Sequence, residues 1–404
     1  MGSEMCIRDR FIIGGGIMLP NPYRPGAGMS PAYLAGRDTT INEAQNILQA
    51  INYGYSARSV VYYGLRGVGK TVLLNYIENL ADEMDLPSEY MEIAERDRSF
   101  QYQMALHIYK LINRLSLLKN IESHIKKALS ILKAFTIKYG CDDISIEVNP
   151  ANGISDTGNL ANDMTELFLA LGVIAQKQNK GVVLFIDEIQ YIKDDEFEAL
   201  MEAIHRTNQK NYPIVIFSAG LPKIAKIAGD VKSYAERLFD FIEIDSLNNE
   251  EAKLALIEPA KRFQINYTDE AVNKIIEITQ GYPYFLQEYG KWVWECKKEE
   301  SIIDIKIVNK AYDKFEQSLD KAFFKVRHDR ATAREIEFMT AMVACEKLPC
   351  STKEIANIMG ESIQAISPLR AQLIHKGFIY AAKRGEVDFT VPQFDKYLKR
   401  VYNS

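Results

Sequence analysis

Cysteine, tryptophan and histidine are scarce in this chain: five Cys, two Trp and five His among 404 residues. The cysteines (Cys6, Cys141, Cys296, Cys345, Cys350) are odd in number, scattered and without a CxxC pair, which argues against a disulfide framework and against a zinc site. Reducing cytosol is then the simplest home, and a cytoplasmic protein is expected. Long apolar runs are missing too. None approaches the roughly 20 residues that a membrane span requires. The longest, residues 11–19, follows Arg8 and Arg10 as a secretory signal would, but Gly14, Gly15 and Gly16 break it and no small-residue cleavage site follows. Residues 1–17 are therefore set aside as a leader, non-native or disordered, with Met18 a natural start. There is no internal repeat. A positive excess is also lacking. The net charge of −5 excludes a protein that coats nucleic acid through a generally basic surface, though not one with a local basic patch.

What is present is a globular composition, 47% hydrophobic and 25% charged, in a chain long enough for two or three domains. Residues 21–30 (NPYRPGAGMS) are a Pro- and Gly-rich arm. Asp38 caps an amphipathic helix to about residue 51. The β-branched and aromatic run 59–63 reads as a buried strand feeding a glycine-rich segment and a helix over 71–83, with a second strand at 89–93. Such a βαβ unit predicts a parallel sheet with helices on its faces. Residues 99–178 are mostly helical, with a polar loop or small hairpin over 141–158. The lysines of 119–138 (Lys119, Lys126, Lys127, Lys133, Lys138) form a solvated face rather than a phosphate contact. Strands return at 181–186, 213–217 and 239–244. After Ser246 the strand signal stops, and capped helices follow from Asn248 and Thr268.

The chemistry gathers at two places. Gly64-Leu65-Arg66-Gly67-Val68-Gly69-Lys70-Thr71 fits GxxxxGK[ST], between a strand and the helix that Val72 continues. Glycines let backbone amides turn onto phosphates, the helix N-terminus adds its dipole, Lys70 reaches the β and γ oxygens, and the Thr71 hydroxyl binds Mg²⁺. ATP and Mg²⁺ are the expected cofactors. Val182-Val183-Leu184-Phe185-Ile186-Asp187-Glu188 is an apolar strand ending in two acids, which are costly there unless a cation sits beside them. Asp187 would hold the metal and Glu188 would act as general base. The bland alternative is a strand-end turn with capping acids. Ser218 ends the next strand, where it either orients the lytic water or simply enters a turn. Arg237, before the last strand, either neutralises transition-state charge in a neighbouring subunit or pairs internally with Glu236 or Asp240; Arg206 is a rival.

These features together resemble the AAA+ ATPases of the origin-recognition type found in archaea and bacteria. Asn21-Pro22-Tyr23-Arg24-Pro25-Gly26-Ala27-Gly28, Leu34-Ala35-Gly36-Arg37, residues 233–239, Gly281 to Glu288 and Phe389-Thr390-Val391-Pro392 look like a bacterial family of such proteins described as ATP-binding. The resemblance spans nearly everything after Met18. It implies an α/β P-loop ATPase domain of AAA+ type over 18–246, an all-α lid over 247–326 and a winged helix-turn-helix over 327–404. It further implies that Leu34, Gly36 and Arg37 wrap the adenine. A lid arginine expected of the initiators is replaced by Gly281-Tyr282-Pro283, similar to the Gly-x-Pro of STAND ATPases, where Pro283 would meet the base or sugar. That favours a slow switch over a processive motor; the alternative is a helix N-terminus made of turn residues.

The last segment has its own pattern: helix, helix, turn, helix and hairpin, the order of a winged helix-turn-helix. Ser351 and Glu354 box a short helix, Gly360 turns, and a helix over 363–376 carries Arg370, His375 and Lys376. Lys383 and Arg384 sit at the tip of a hairpin. Residues 331–404 hold ten Lys and Arg against eight Asp and Glu, a net of +2 where the rest of the chain nets −7. Arg370, Lys376, Lys383 and Arg384 are the expected contacts to double-stranded DNA or to a protein partner. The expectation is an ATPase whose nucleotide state controls this module, with a non-hydrolysing regulator or an interaction scaffold as the alternative; a homo-oligomer is allowed by either.

Overall fold

The computed structural model describes residues 11–13, 16–93, 99–116, 121–141, 143–151, 153–224 and 238–402. They fall into two compact units, 38–244 and a second made of 245–404 with the arm that ends at Arg37. Phe11–Ile13, in the segment set aside as a leader, pairs with Gly16–Met18 as a short antiparallel hairpin.

The first unit is built on five strands: β1 (Ser59–Tyr63), β2 (Ser88–Glu92), β3 (Val182–Asp187), β4 (Ile214–Gly220) and β5 (Phe239–Glu243). They are parallel, in the order β2-β3-β4-β1-β5. Every residue of β3 and β4 is buried, as expected of central strands covered on both faces. An aromatic row crosses the sheet: Tyr90 stacks on Phe185 at 6.2 Å, Phe185 on Phe217 at 5.8 Å, and Phe217 on Tyr62 at 6.4 Å. This row fixes the relative heights of four strands, and therefore of the groups at their carboxyl ends. Helix α1 (Asp38–Asn52) precedes the sheet, and the crossovers include α2 (Lys70–Glu83), α3 (Phe100–Ser116), α4 (Glu122–Lys138), α5 (Leu160–Gln178) and α6 (Asp194–Gln209). In the first turn of α5, the buried Asp163 takes hydrogen bonds from the Thr157 and Gly158 amides and the Thr157 hydroxyl of the preceding polar loop, and from the Tyr139 hydroxyl. These bonds order the loop as a turn; among the described residues no strand forms there.

The second unit begins with α7 (Asn249–Lys261), α8 (Asp269–Thr279), α9 (Pro283–Lys297) and α10 (Ile305–Ser318). The Asn248–Glu251 capping box closes in both directions at 3.0 Å, and the Thr268 hydroxyl accepts from the Ala271 amide. The arm is held by Tyr23, whose hydroxyl donates to the Leu256 carbonyl at 2.5 Å; its ring lies so close to Gly290 that a Cβ there would come within 2.6 Å. The C-terminal part adds α11 (Ala333–Ala344), β6 (Cys350–Ser351), α12 (Thr352–Met359), α13 (Ile363–His375), β7 (Ile379–Lys383), β8 (Glu386–Phe389) and α14 (Phe394–Tyr402), with the antiparallel sheet ordered β6-β8-β7. The third strand and the last helix are absent from the sequence reading. Ser351 caps α12 as expected, but Glu354 does not close the box: its carboxylate accepts the Glu346 amide at 3.2 Å. Helix α14 folds back on the π-helical continuation of α10 (Leu319–Phe324), where Arg400 bonds Asp320 and Phe324 stacks on Tyr397.

Candidate functional site

At the carboxyl end of β1 the chain enters residues 64–69. Gly67 and Gly69 have φ of 85° and 95°, backbone that side-chain-bearing residues rarely adopt, and Gly69 is the N-cap of α2. Gly64 is required for a different reason: a Cβ there would meet the Ile244 carbonyl at 2.0 Å. Val68 is buried, Val72 half-buried, and Lys70 folds back to donate to the carbonyls of Gly64 (3.0 Å) and Leu65 (2.7 Å). Burial pulls the Lys70 ammonium down to about 8, against the opposing pull of Glu188 and Asp187. Its charge is thus poorly solvated and poised to gain from an anion.

The next residue of α2, Thr71, donates its hydroxyl proton to Asp187 Oδ2 at 2.7 Å. Asp187 is buried at the end of β3, and its Oδ1 accepts the Glu188 amide at 2.8 Å. Burial raises the Asp187 carboxyl, while Thr71, the Glu188 amide and Tyr90 oppose the rise. The sequence reading pairs Thr71 with Asp187 as metal ligands, and the fold brings them into direct contact. Among the described residues no group of three or more His, Cys, Asp and Glu could hold a metal. A hydroxyl and one carboxylate suit Mg²⁺, which keeps waters and shares phosphate oxygens rather than taking an all-protein cage.

Three groups here escape the sequence reading. Tyr90 donates to Asp187 Oδ2 at 3.0 Å from the neighbouring strand. Tyr191 accepts from Arg66 Nη2 at 2.9 Å, tying the glycine-rich loop to the turn after β3. Gln190 contacts the Glu188 carboxylate. The run Glu188-Ile189-Gln190-Tyr191 is a signal in itself, since polar groups alternate immediately after the acids; Tyr90 is detectable only once β2 is registered against β3.

Other expected residues lie differently. Strand β4 continues to Gly220, so Ser218 does not end it; the side chain is fully buried and its hydroxyl donates to the Val60 carbonyl at 3.1 Å. That bond holds β4 to β1 rather than facing a water. Arg237 lies outside the described residues. Arg206 Nη1 donates to Gln209 one turn along α6. In the second unit, Arg37 is buried and donates to the carbonyls of Gly36 (3.0 Å) and Asp245 (2.7 Å); burial lowers its guanidinium, with Glu251 and Asp245 opposing. Gly36 has φ of 66° and Leu34 is half-buried. Pro283 occupies the first turn of α9 after Gly281, where a Cβ would meet the Leu247 carbonyl at 2.1 Å.

Of the four expected DNA or partner contacts, Lys383 and Arg384 are exposed between β7 and β8. Arg370 is half-buried, with a buried Nε that makes no hydrogen bond. Lys376 is not a free surface cation: its ammonium lies 2.9 Å from Glu335, which also accepts the Thr332 amide in the capping box of α11.

Residues 33–217 match the AAA ATPase domain family. The five-stranded parallel sheet with the glycine-rich loop at the carboxyl end of β1 is the AAA+ P-loop fold. Residues 321–398 match a second family, a domain of unknown function (DUF8462). The chain is 25% identical over 171 residues to the ORC1-type DNA replication protein 2 of Haloarcula marismortui, an alignment covering 41% of this chain and 32% of that protein's length. Among solved structures, the Walker-type ATPase of Pyrococcus abyssi superposes with a TM-score of 0.54 at 13% identity, covering 91% of this chain and 96% of the other. The Orc1 protein of Aeropyrum pernix, solved in complex with DNA, gives 0.46 at 13% identity, covering 92% and 94%. No described helix is long and apolar enough to cross a membrane.

Proposed function

We propose that this AAA+ protein binds ATP with Mg²⁺, hydrolyses it slowly, and uses its nucleotide state to control a C-terminal winged helix-turn-helix that binds double-stranded DNA. The observation that carries the hydrolytic reading is the Thr71–Asp187 contact at 2.7 Å, formed between a glycine-rich loop and the end of a buried strand. The backbone amides of the loop and the Lys70 ammonium receive the phosphates. Thr71 and Asp187 would hold the Mg²⁺, which when bound neutralises charge on the β and γ oxygens. Glu188 takes the proton of the water that attacks the γ-phosphorus, and ADP leaves as the P–O bond breaks. Phosphate release by wild type and Glu188→Gln tests this. The variant retains ATP and loses turnover by at least about a hundredfold; equal turnover in both refutes the assignment.

The DNA reading rests on the order of α11, α12, α13 and the β7–β8 hairpin, with Lys383 and Arg384 exposed at its tip. One observation favours a protein partner instead: the exposed positions Gln364, Ala365, Ser367, Pro368 and Ala371 of α13 carry no charge to meet phosphate.

A further inference from the structure

The turn after β3 contains a carboxamide placed between the two strands that end at the site. Gln190 is 3% exposed. Its Nε2 donates to Glu188 Oε2, and its Oε1 accepts the Leu221 amide at 2.9 Å, the first residue beyond β4. Room for this bridge comes from Gly220, where a Cβ would lie 2.9 Å from Gln190 Oε1. Glu188 itself has φ of 53° and ψ of 36°, left-handed backbone that a glutamate adopts only under constraint from its surroundings. Both hydrogen-bonding ends of Gln190 are therefore committed, one to main chain and one to the carboxylate named above as the general base.

We infer that Gln190 is a positioning residue that aims the Glu188 carboxylate for proton abstraction and ties its orientation to the end of β4. The inference rests on the hydrolytic reading of the site. A carboxylate on a freely rotating side chain samples orientations that do not face the water. With Oε2 held by the amide, Oε1 remains to accept the proton, and the held geometry requires no reorganisation at the moment of transfer. Gln190 touches neither substrate nor metal ligand in this role; it acts through Glu188.

Two variants separate this role from a purely structural one. Gln190→Glu keeps an acceptor for the Leu221 amide but removes the donor to Glu188 and sets a second carboxylate beside it. Gln190→Met, of similar length, removes both bonds. ATP turnover is measured at saturating and limiting ATP, alongside equilibrium binding of a fluorescent ATP analogue and Glu188→Gln as reference. The expected result is a fall in kcat of about tenfold or more in both Gln190 variants, the scale of one hydrogen bond to a charged group, with nucleotide affinity within twofold of wild type. If Gln190→Glu turns over like wild type while Gln190→Met does not, the Leu221 bond alone matters and the positioning role is overturned. A kcat equal to or above wild type in both variants overturns it as well. Wild type that turns over no faster than Glu188→Gln refutes the hydrolytic reading, and this role with it.

Discussion

Lys70 has two jobs that compete for one charge. Its ammonium bonds the Gly64 and Leu65 carbonyls, and burial brings it down to about 8. A triphosphate favours the ammonium, so binding takes up a proton wherever the free amine is partly deprotonated. The sign follows: affinity for ATP is full below pH 8 and weakens as pH rises through 8, by up to about tenfold per unit. Titration of a fluorescent ATP analogue at pH 7 and 9.5 measures it, and Lys70→Arg serves as the control because a guanidinium stays charged over that range. The motif containing Lys70 was legible because its residues are contiguous and its geometry is backbone geometry. Tyr90 was not, because its contact with Asp187 depends on pairing two strands and spans 97 residues of chain. Ser218 was misplaced by strand length: β4 runs to Gly220, and that puts the hydroxyl within reach of Val60 instead of solvent.

Elements were legible in proportion to how local their signals are. The Asn248–Glu251 box and the Thr268 cap each close within three residues and formed as expected. The Ser351–Glu354 box formed halfway, since the Glu346 amide offers Glu354 another partner. Helix α13 shows what local reading misses. Lys376 at its end reaches Glu335, buried at the start of α11 and 41 residues away in sequence. Burial alone would raise the Glu335 carboxyl, but Lys376 and the Thr332 amide outweigh it and hold it below the usual range. A depressed carboxylate contributes stability that is present above its unfolded pKa and is lost as pH falls through the folded one, so this corner weakens under acid. Lys376→Ala removes the cation but leaves the carboxylate buried. It should cost about 3 kcal/mol, against less than about 1 kcal/mol for Lys383→Ala, in chemical denaturation at neutral pH. A Lys376 variant that binds DNA poorly would therefore report on folding as much as on contact.

At the scale of the whole molecule, acidity and a basic tip coexist: the chain nets −5 while Lys383 and Arg384 stand exposed on one hairpin. Affinity carried by that hairpin should fall with salt, and Lys383→Glu with Arg384→Glu should lower the slope of log K against log salt by about two. An unchanged slope in fluorescence anisotropy with a double-stranded oligonucleotide would favour the protein-docking reading. The motif order leads to a first domain over 18–246, and the compact units are 38–244 and 245–404 with the arm ending at Arg37. Arg37 explains this, because its guanidinium is spent on the Asp245 carbonyl, a contact no composition shift announces. The claim on which the rest depends is that the loop over 64–71 receives a triphosphate. Equilibrium binding of ATP to wild type and Lys70→Ala, with folding of the variant checked by its melting transition, addresses it most directly. The account predicts that the folded variant loses affinity by about a hundredfold or more; folded Lys70→Ala binding ATP as tightly as wild type would contradict it.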